Sequence, residues 1–262
     1  MAFRCLIALI FLFVFGCDQI TMDDDLNSAR QAMQEQNWNK AERLLERYLH
    51  QEEDKEKRWD AWQDLLNVIN SANAVPKATL EYLEVMLIEY EGDDSKSKNI
   101  LEKIAQTCES LRMNERAAAA WSTYISLGGL SPQEMVEGYR RLAAREFDLR
   151  HFEVSEEVLQ QCLTLPYPDK DKVMCMYEMA DQNMGRGRFD EVINLCNHIL
   201  DIDEIDDKDF KSMRGQAGYL LADALEQTGK KQEALKQFEK ARELYPNQAV
   251  IDNRINHLRK AK

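Results

Sequence analysis

Glycine and proline are scarce, with ten and five in 262 residues. So few chain breakers argue against a fold of many short strands joined by tight turns. With 44% hydrophobic and 31% charged residues, the composition is that of a helix-rich chain. Basic runs are missing as well. Asp and Glu outnumber Lys and Arg 47 to 34, for a net charge of −13. That balance argues against sequence-independent binding to nucleic acid and against electrostatic attraction to an anionic lipid surface. A bilayer span needs about 20 apolar residues, and the longest unbroken apolar run, Cys5–Phe15, has eleven.

The signatures of enzymes are also absent. There is no G-x-S-x-G, no Walker A and no G-x-G-x-x-G sequence. The four histidines, His50, His151, His198 and His257, are dispersed and show neither H-x-x-x-H nor H-E-x-x-H spacing. The densest acidic run, Asp201–Asp209, cannot be an EF-hand, because Asp206 and Ser212 stand where that loop needs Gly and Glu. It reads as a solvated loop whose last acids cap the following helix. The expectation is a chain with no catalytic set, no metal and no cofactor, and thus not an enzyme.

What is present is periodicity. Residues 215–248 contain two amphipathic helices. The first carries Tyr219, Leu221, Ala222 and Leu225 on one face and stops at Gly229, which takes a left-handed C-cap without strain. The second carries Ala234, Leu235, Phe238, Ala241 and Leu244 and ends before Pro246. This hairpin resembles the tetratricopeptide repeat (TPR), a helix-turn-helix unit of about 34 residues. Leu221, Ala222, Leu225, Ala234, Phe238, Ala241 and Pro246 match the signature, and Gly218 departs from its usual large first residue.

The same register runs back through the chain. Ala41, Ala78, Ala117, Ser155, Val192 and Ala234 lie 37, 39, 38, 37 and 42 residues apart, each near the start of a second helix. Ala29, Leu66, Ala105, Ala143, Ala180 and Ala222 hold the partner position on the first helices. The resemblance implies an all-α, right-handed TPR-type solenoid of about six helix-turn-helix repeats with a C-terminal capping helix. The hairpins are expected at 22–50, 57–89, 95–127, 131–164, 169–200 and 207–245, with the cap at 249–261, in one continuous domain over 22–262. Leu66 and Val192 are bulky for their positions and predict splayed hairpins in repeats two and five. Ser131-Pro132-Gln133-Glu134 reads as a capping box with Pro at N1, and Asn114 as an N-cap.

Ahead of the repeats, the apolar run ends in Val14-Phe15-Gly16-Cys17. A run this short after one basic residue, Arg4, suits a secretory signal. The Gly16-Cys17 ending resembles the lipobox of bacterial lipoproteins. Residues 1–16 would then be a cleaved signal peptide and Cys17 the lipidated (palmitate-bearing) N-terminus. Residues 17–25 would be a tether in which Asp18–Asp25 spans at most ~25–30 Å. That places the chain in the bacterial cell envelope, facing the periplasm, on the inner or the outer membrane.

Beyond Cys5 and Cys17 there are four cysteines, Cys108, Cys162, Cys175 and Cys196, all on expected helices. Each can serve as a small buried hydrophobe. An oxidising periplasm also permits pairing, and Cys162 and Cys175, flanking the turn at 166–169, are the candidate disulfide.

In TPR arrays the first helices line the ligand-binding surface. Carried onto this chain, the family's contact positions give Gln63, Asn67 and Asn70 in repeat two and Glu102, Gln106 and Glu109 in repeat three. They give Arg140, Ala144 and Phe147 in repeat four, Tyr177, Asp181 and Met184 in repeat five, and Tyr219, Asp223 and Glu226 in repeat six. Amides there can pair with a peptide backbone, and aromatic rings offer rigid contact area. Arg140 is the lone cation of the set. The basic pair that clamps a terminal carboxylate in chaperone-type TPRs is missing, so a neutral or basic segment is the expected client. The function implied is a membrane-anchored scaffold or adaptor that binds a partner protein or peptide. Lipoproteins of outer-membrane assembly or of pilus and secretion assembly combine the same two features. The alternatives are a self-associating scaffold, active as a homodimer, and, with least to recommend it, a helical enzyme.

Overall fold

The computed structural model describes residues 22–72, 76–202 and 207–260, and within them the regular structure is thirteen α-helices. The signal-peptide run and Cys17 lie outside the described residues. The helices follow in pairs: α1 (Met22–Gln34) and α2 (Trp38–Gln51); α3 (Lys55–Ser71) and α4 (Pro76–Glu89); α5 (Asp94–Ser110) and α6 (Asn114–Ile125). Then come α7 (Pro132–Asp148) and α8 (Phe152–Thr164); α9 (Asp169–Gly185) and α10 (Phe189–Asp201); α11 (Lys208–Gln227) and α12 (Lys231–Ala241). A final helix, α13 (Gln248–Lys260), packs against α12. The twelve paired helices and the closing one that the register predicts are all present, and the fold is a TPR-type array of helical hairpins.

Backbone contacts gather the chain into two units, Met1–Thr79 and Leu80–Lys262, where the register predicts one continuous domain. The division falls inside α4.

Five hairpins turn on one backbone device. The residue two places before each second helix takes a positive φ: Gln36 at 57°, Arg112 at 57°, Arg150 at 65°, Gly187 at 74° and Gly229 at 80°. The next residue's N–H then reaches back five positions to a carbonyl of the first helix, as Asn37 does to Ala32 and Lys230 to Leu225, at 2.8 and 2.9 Å. This is the Schellman arrangement, which satisfies carbonyls that a helix end would otherwise leave open.

Between the paired helices, small residues allow close approach. Ala29, Ala105, Ala143, Ala180 and Ala222 have no exposed surface, and neither do Ala41, Ala117, Ser155, Val192 and Ala234 opposite them. Leu66 and Val192, the bulky members, are buried too. Ser155 is the polar member. Its Oγ lies 2.7 Å from the Ala143 carbonyl and 2.8 Å from the Gln182 side chain, which satisfies a hydroxyl that burial would otherwise penalise.

The last hairpin is the tightest. A Cβ on Gly215 would stand 2.4 Å from the Leu244 backbone, and one on Gly218 3.0 Å from Ala241. The departure at Gly218 from the TPR signature is therefore a helix-crossing point.

Helix ends follow local chemistry. Ser131 and Glu134 form the expected capping box, and Asp207 accepts the Phe210 N–H at 2.8 Å. Asn114 is the first residue of α6 rather than its cap; Met113 holds the cap position with no side-chain bond. Between α8 and α9, Cys162 and Cys175 are joined by a disulfide, their Cα atoms 6.4 Å apart. Cys108 and Cys196 are free and buried. In the first unit, α1 and α2 close around Ala29, Ala32, Leu45 and Tyr48, and Arg47 clamps the nearly buried Asp25 from the neighbouring helix, its Nε at 2.6 Å.

Candidate binding site on the first helices

In the second unit the first helices run side by side, α7 against α9 and α9 against α11. Their shared face carries most of the residues that the TPR resemblance assigns to ligand, and charge is handled differently along it.

On the α5–α7–α9 stretch the ionised groups hold one another. Glu109 of α5 accepts the Trp121 indole N–H at 2.9 Å and Arg141 at 3.0 Å, with Arg145 at 3.9 Å. Glu137 takes two hydrogen bonds from Arg140, at 2.7 and 2.8 Å, and one from Arg141 at 2.7 Å. Arg140 also stands 3.7 Å from Glu178 of α9. Burial works against charge on Glu137, yet the arginine hydrogen bonds prevail and keep its pKa below the usual carboxylate range. Burial likewise opposes the charge on Arg140, and Glu137 restores it and raises its pKa. Glu178 has only the longer contact with Arg140 and a hydrogen bond from Gln182 at 3.2 Å, and burial raises its pKa.

Arg140, expected to face a client, is thus engaged within the fold. Gln106 donates to Glu102 at 3.0 Å along its own helix. Phe147 is half-buried, packed edge-on against Phe152 of α8 with ring centres 5.0 Å apart, so it belongs to the hairpin's interior seam. Gln63, half-buried, and the exposed Asn67 and Asn70 lie on α3 in the first unit.

At the α9–α11 end three of the expected residues converge. Tyr177, Asp181 and Tyr219 line a pocket of about 290 Å³ together with Gln216, Tyr245 and Asn247. The Tyr219 ring stacks on Tyr245 at 4.8 Å and meets Phe238 edge-on at 5.4 Å. These contacts fix one wall of the pocket in a single orientation. Burial raises the pKa of Tyr177, with Asp181 adding to the effect, and burial raises that of Tyr219 as well. Both phenols therefore stay neutral and able to donate. Asp181 is exposed and makes no ion pair among the described residues, and the rings and helix packed beside it still raise its pKa by partial desolvation.

Asp223, another expected contact, is already occupied. Arg254 of α13 reaches both Asp223 and Glu226, the latter at 2.7 Å, with its guanidinium carbon 5.5 Å from the centre of the Phe238 ring. Sequence reading missed Arg254 and Asn247 because they lie past the last repeat's signature, and Tyr245 because it falls between signature positions. The polar face of the closing helix was the one signal pointing to Arg254.

Other groups carry no sign of chemistry. His151 pairs with Glu146 at 2.8 Å and His198 with Asp169 at 2.9 Å. The Cys196 thiol is pushed up to about 12 by burial, far from a reactive thiolate. Among the described residues no three His, Cys, Asp or Glu side chains gather as metal ligands. No helix there is long and apolar enough to cross a membrane.

Comparison with known proteins agrees with this architecture. Residues 219–248 match the tetratricopeptide repeat family model. A tetratricopeptide repeat protein from Parabacteroides merdae superposes with a TM-score of 0.51 at 15% identity, covering 90% of this chain and 98% of its own. A Podosopora anserina protein with nearly identical TPR-like repeats aligns at 15% identity over 85% of this chain and 94% of its own, with a TM-score of 0.35. No curated protein sequence matches the chain. The likeness is one of fold.

Proposed function

We propose that the chain is a lipid-anchored adaptor of the bacterial envelope, tethered through Cys17, whose second unit binds a segment of a partner protein. One observation carries the binding half. Tyr177, Asp181 and Tyr219, assigned to ligand by the TPR resemblance, line one pocket rather than scattering over the surface. Stacked helical hairpins are a natural support for such a site, since repeat arrays present extended binding surfaces. The anchoring half rests on the Cys5–Phe15 run and the Gly16-Cys17 ending that follows it. A disulfide between Cys162 and Cys175 suits a periplasmic setting, where thiols are oxidised. Assembly of outer-membrane proteins or of pilus and secretion machinery is the kind of work that this combination fits.

The test is recovery of partners from detergent-solubilised envelopes with the full chain, comparing wild type with Tyr177→Ala/Gln216→Ala. A partner that depends on the pocket is expected to fall about tenfold or more, the loss of at least ~1.4 kcal/mol of binding. Equal recovery of every partner would reject the pocket. In the same cells Cys17→Ser should abolish labelling by a palmitate analogue, and undiminished labelling would reject the anchor.

A further inference from the structure

The pocket's composition names a ligand chemistry, and this inference rests on the reading that the α9–α11 face binds a partner segment. We infer that the pocket receives one cationic side chain, arginine or lysine, from that segment, with Asp181 as its counter-ion and Tyr177, Tyr219 and Tyr245 as its aromatic walls.

Three observations lead there. First, a volume of about 290 Å³ lies at the small end of the range for ligand pockets, roughly 300–1,000 Å³, and suits a single long side chain rather than a folded surface. Second, the charge is left over. Arg140 serves Glu137 and Glu178, and Arg254 serves Asp223 and Glu226, but Asp181 pairs with no cation among the described residues.

Third, the same face already holds one arginine in this manner. The Arg254 guanidinium sits between two carboxylates of α11 and against the face of Phe238. Tyr219, Asp223 and Glu226 follow at helical spacing on one side of α11, so the Arg254 site and the pocket are neighbours on one helix. Ring faces and a carboxylate together are what a desolvated guanidinium or ammonium requires. The excess of 47 acidic over 34 basic residues favours the approach of such a segment.

The experiment uses the full chain and four degenerate dodecapeptide pools that differ only in a fixed central residue: arginine, lysine, citrulline or glutamate. Citrulline keeps the shape of arginine without its charge, a carbonyl oxygen replacing one guanidinium nitrogen. The arginine and lysine pools are expected to bind at least tenfold more tightly than the citrulline pool. Asp181→Asn should erase that preference while leaving the melting temperature unchanged, since Asp181 makes no ion pair among the described residues. Equal binding of the arginine and citrulline pools, an arginine preference that survives Asp181→Asn, or no retention of the arginine pool would each overturn the inference. If the pools bind alike but all are lost with Tyr177→Ala, the cation inference falls while partner binding at this face stands. Loss of the envelope partner with Tyr177→Ala/Gln216→Ala, in the absence of any pool binding, would separate the two in the same way.

Discussion

On the α5–α7–α9 stretch, Glu109, Glu137 and Glu178 alternate with Arg140, Arg141 and Arg145 in a ladder that crosses three helices. On the α9–α11 stretch the aromatic rings are as prominent as the charges, and Asp181 has no opposite number. Both include positions that a TPR register assigns to ligand, Glu109 and Arg140 in the first and Tyr177, Asp181 and Tyr219 in the second. The first stretch uses its ionised groups to hold neighbouring hairpins together, and the second leaves rings and one carboxylate available. A repeat register locates a surface. Whether a residue on that surface is free to meet a partner depends on what stands 30 to 40 residues away in sequence and next to it in space.

That contrast can be broken by three substitutions read in urea unfolding of the same chain. The largest effect is expected from Arg140→Met, which leaves Glu178 without its cation and Glu137 with only Arg141. In this half-buried setting the cost should be about 1–2 kcal/mol, below the roughly 3–5 kcal/mol of a fully buried pair. A change under about 0.5 kcal/mol would mean that the ladder is ornamental. Glu109→Gln comes next, at about 1 kcal/mol. The amide can still accept from Trp121 but no longer balances Arg141 and Arg145. The smallest is Asp181→Asn, expected within about 0.5 kcal/mol of wild type, because the removed charge is exposed and makes no ion pair among the described residues. A loss near that of Arg140→Met would erase the distinction between the two stretches.

Much of the fold is legible in the sequence because it rests on spacing. Small residues recurring at 37 to 42 positions mark where helices touch, and Gly187 and Gly229 mark two of the turns. The other left-handed turn residues, Gln36, Arg112 and Arg150, leave no trace in composition, since backbone hydrogen bonds enforce that conformation whatever the side chain. The family model matches 219–248. In repeats two, four and five, Leu66, Ser155 and Val192 stand where that hairpin has alanine. What was legible of the candidate site is Tyr177, Asp181 and Tyr219, which the register sets on the first helices and which line one pocket. The site was not legible at Arg140, Phe147 and Asp223, whose partners Glu137, Phe152 and Arg254 follow no repeat rule.

The two unpaired cysteines of the described residues have a practical consequence. Cys108 sits wholly inside the α5–α6 hairpin and Cys196 wholly inside the α9–α12 core, neither reachable by reagent while its hairpin is closed. Each is a clock placed in a different repeat. The rate at which an alkylating agent claims one and then the other would report how each hairpin breathes and in which order the array comes apart.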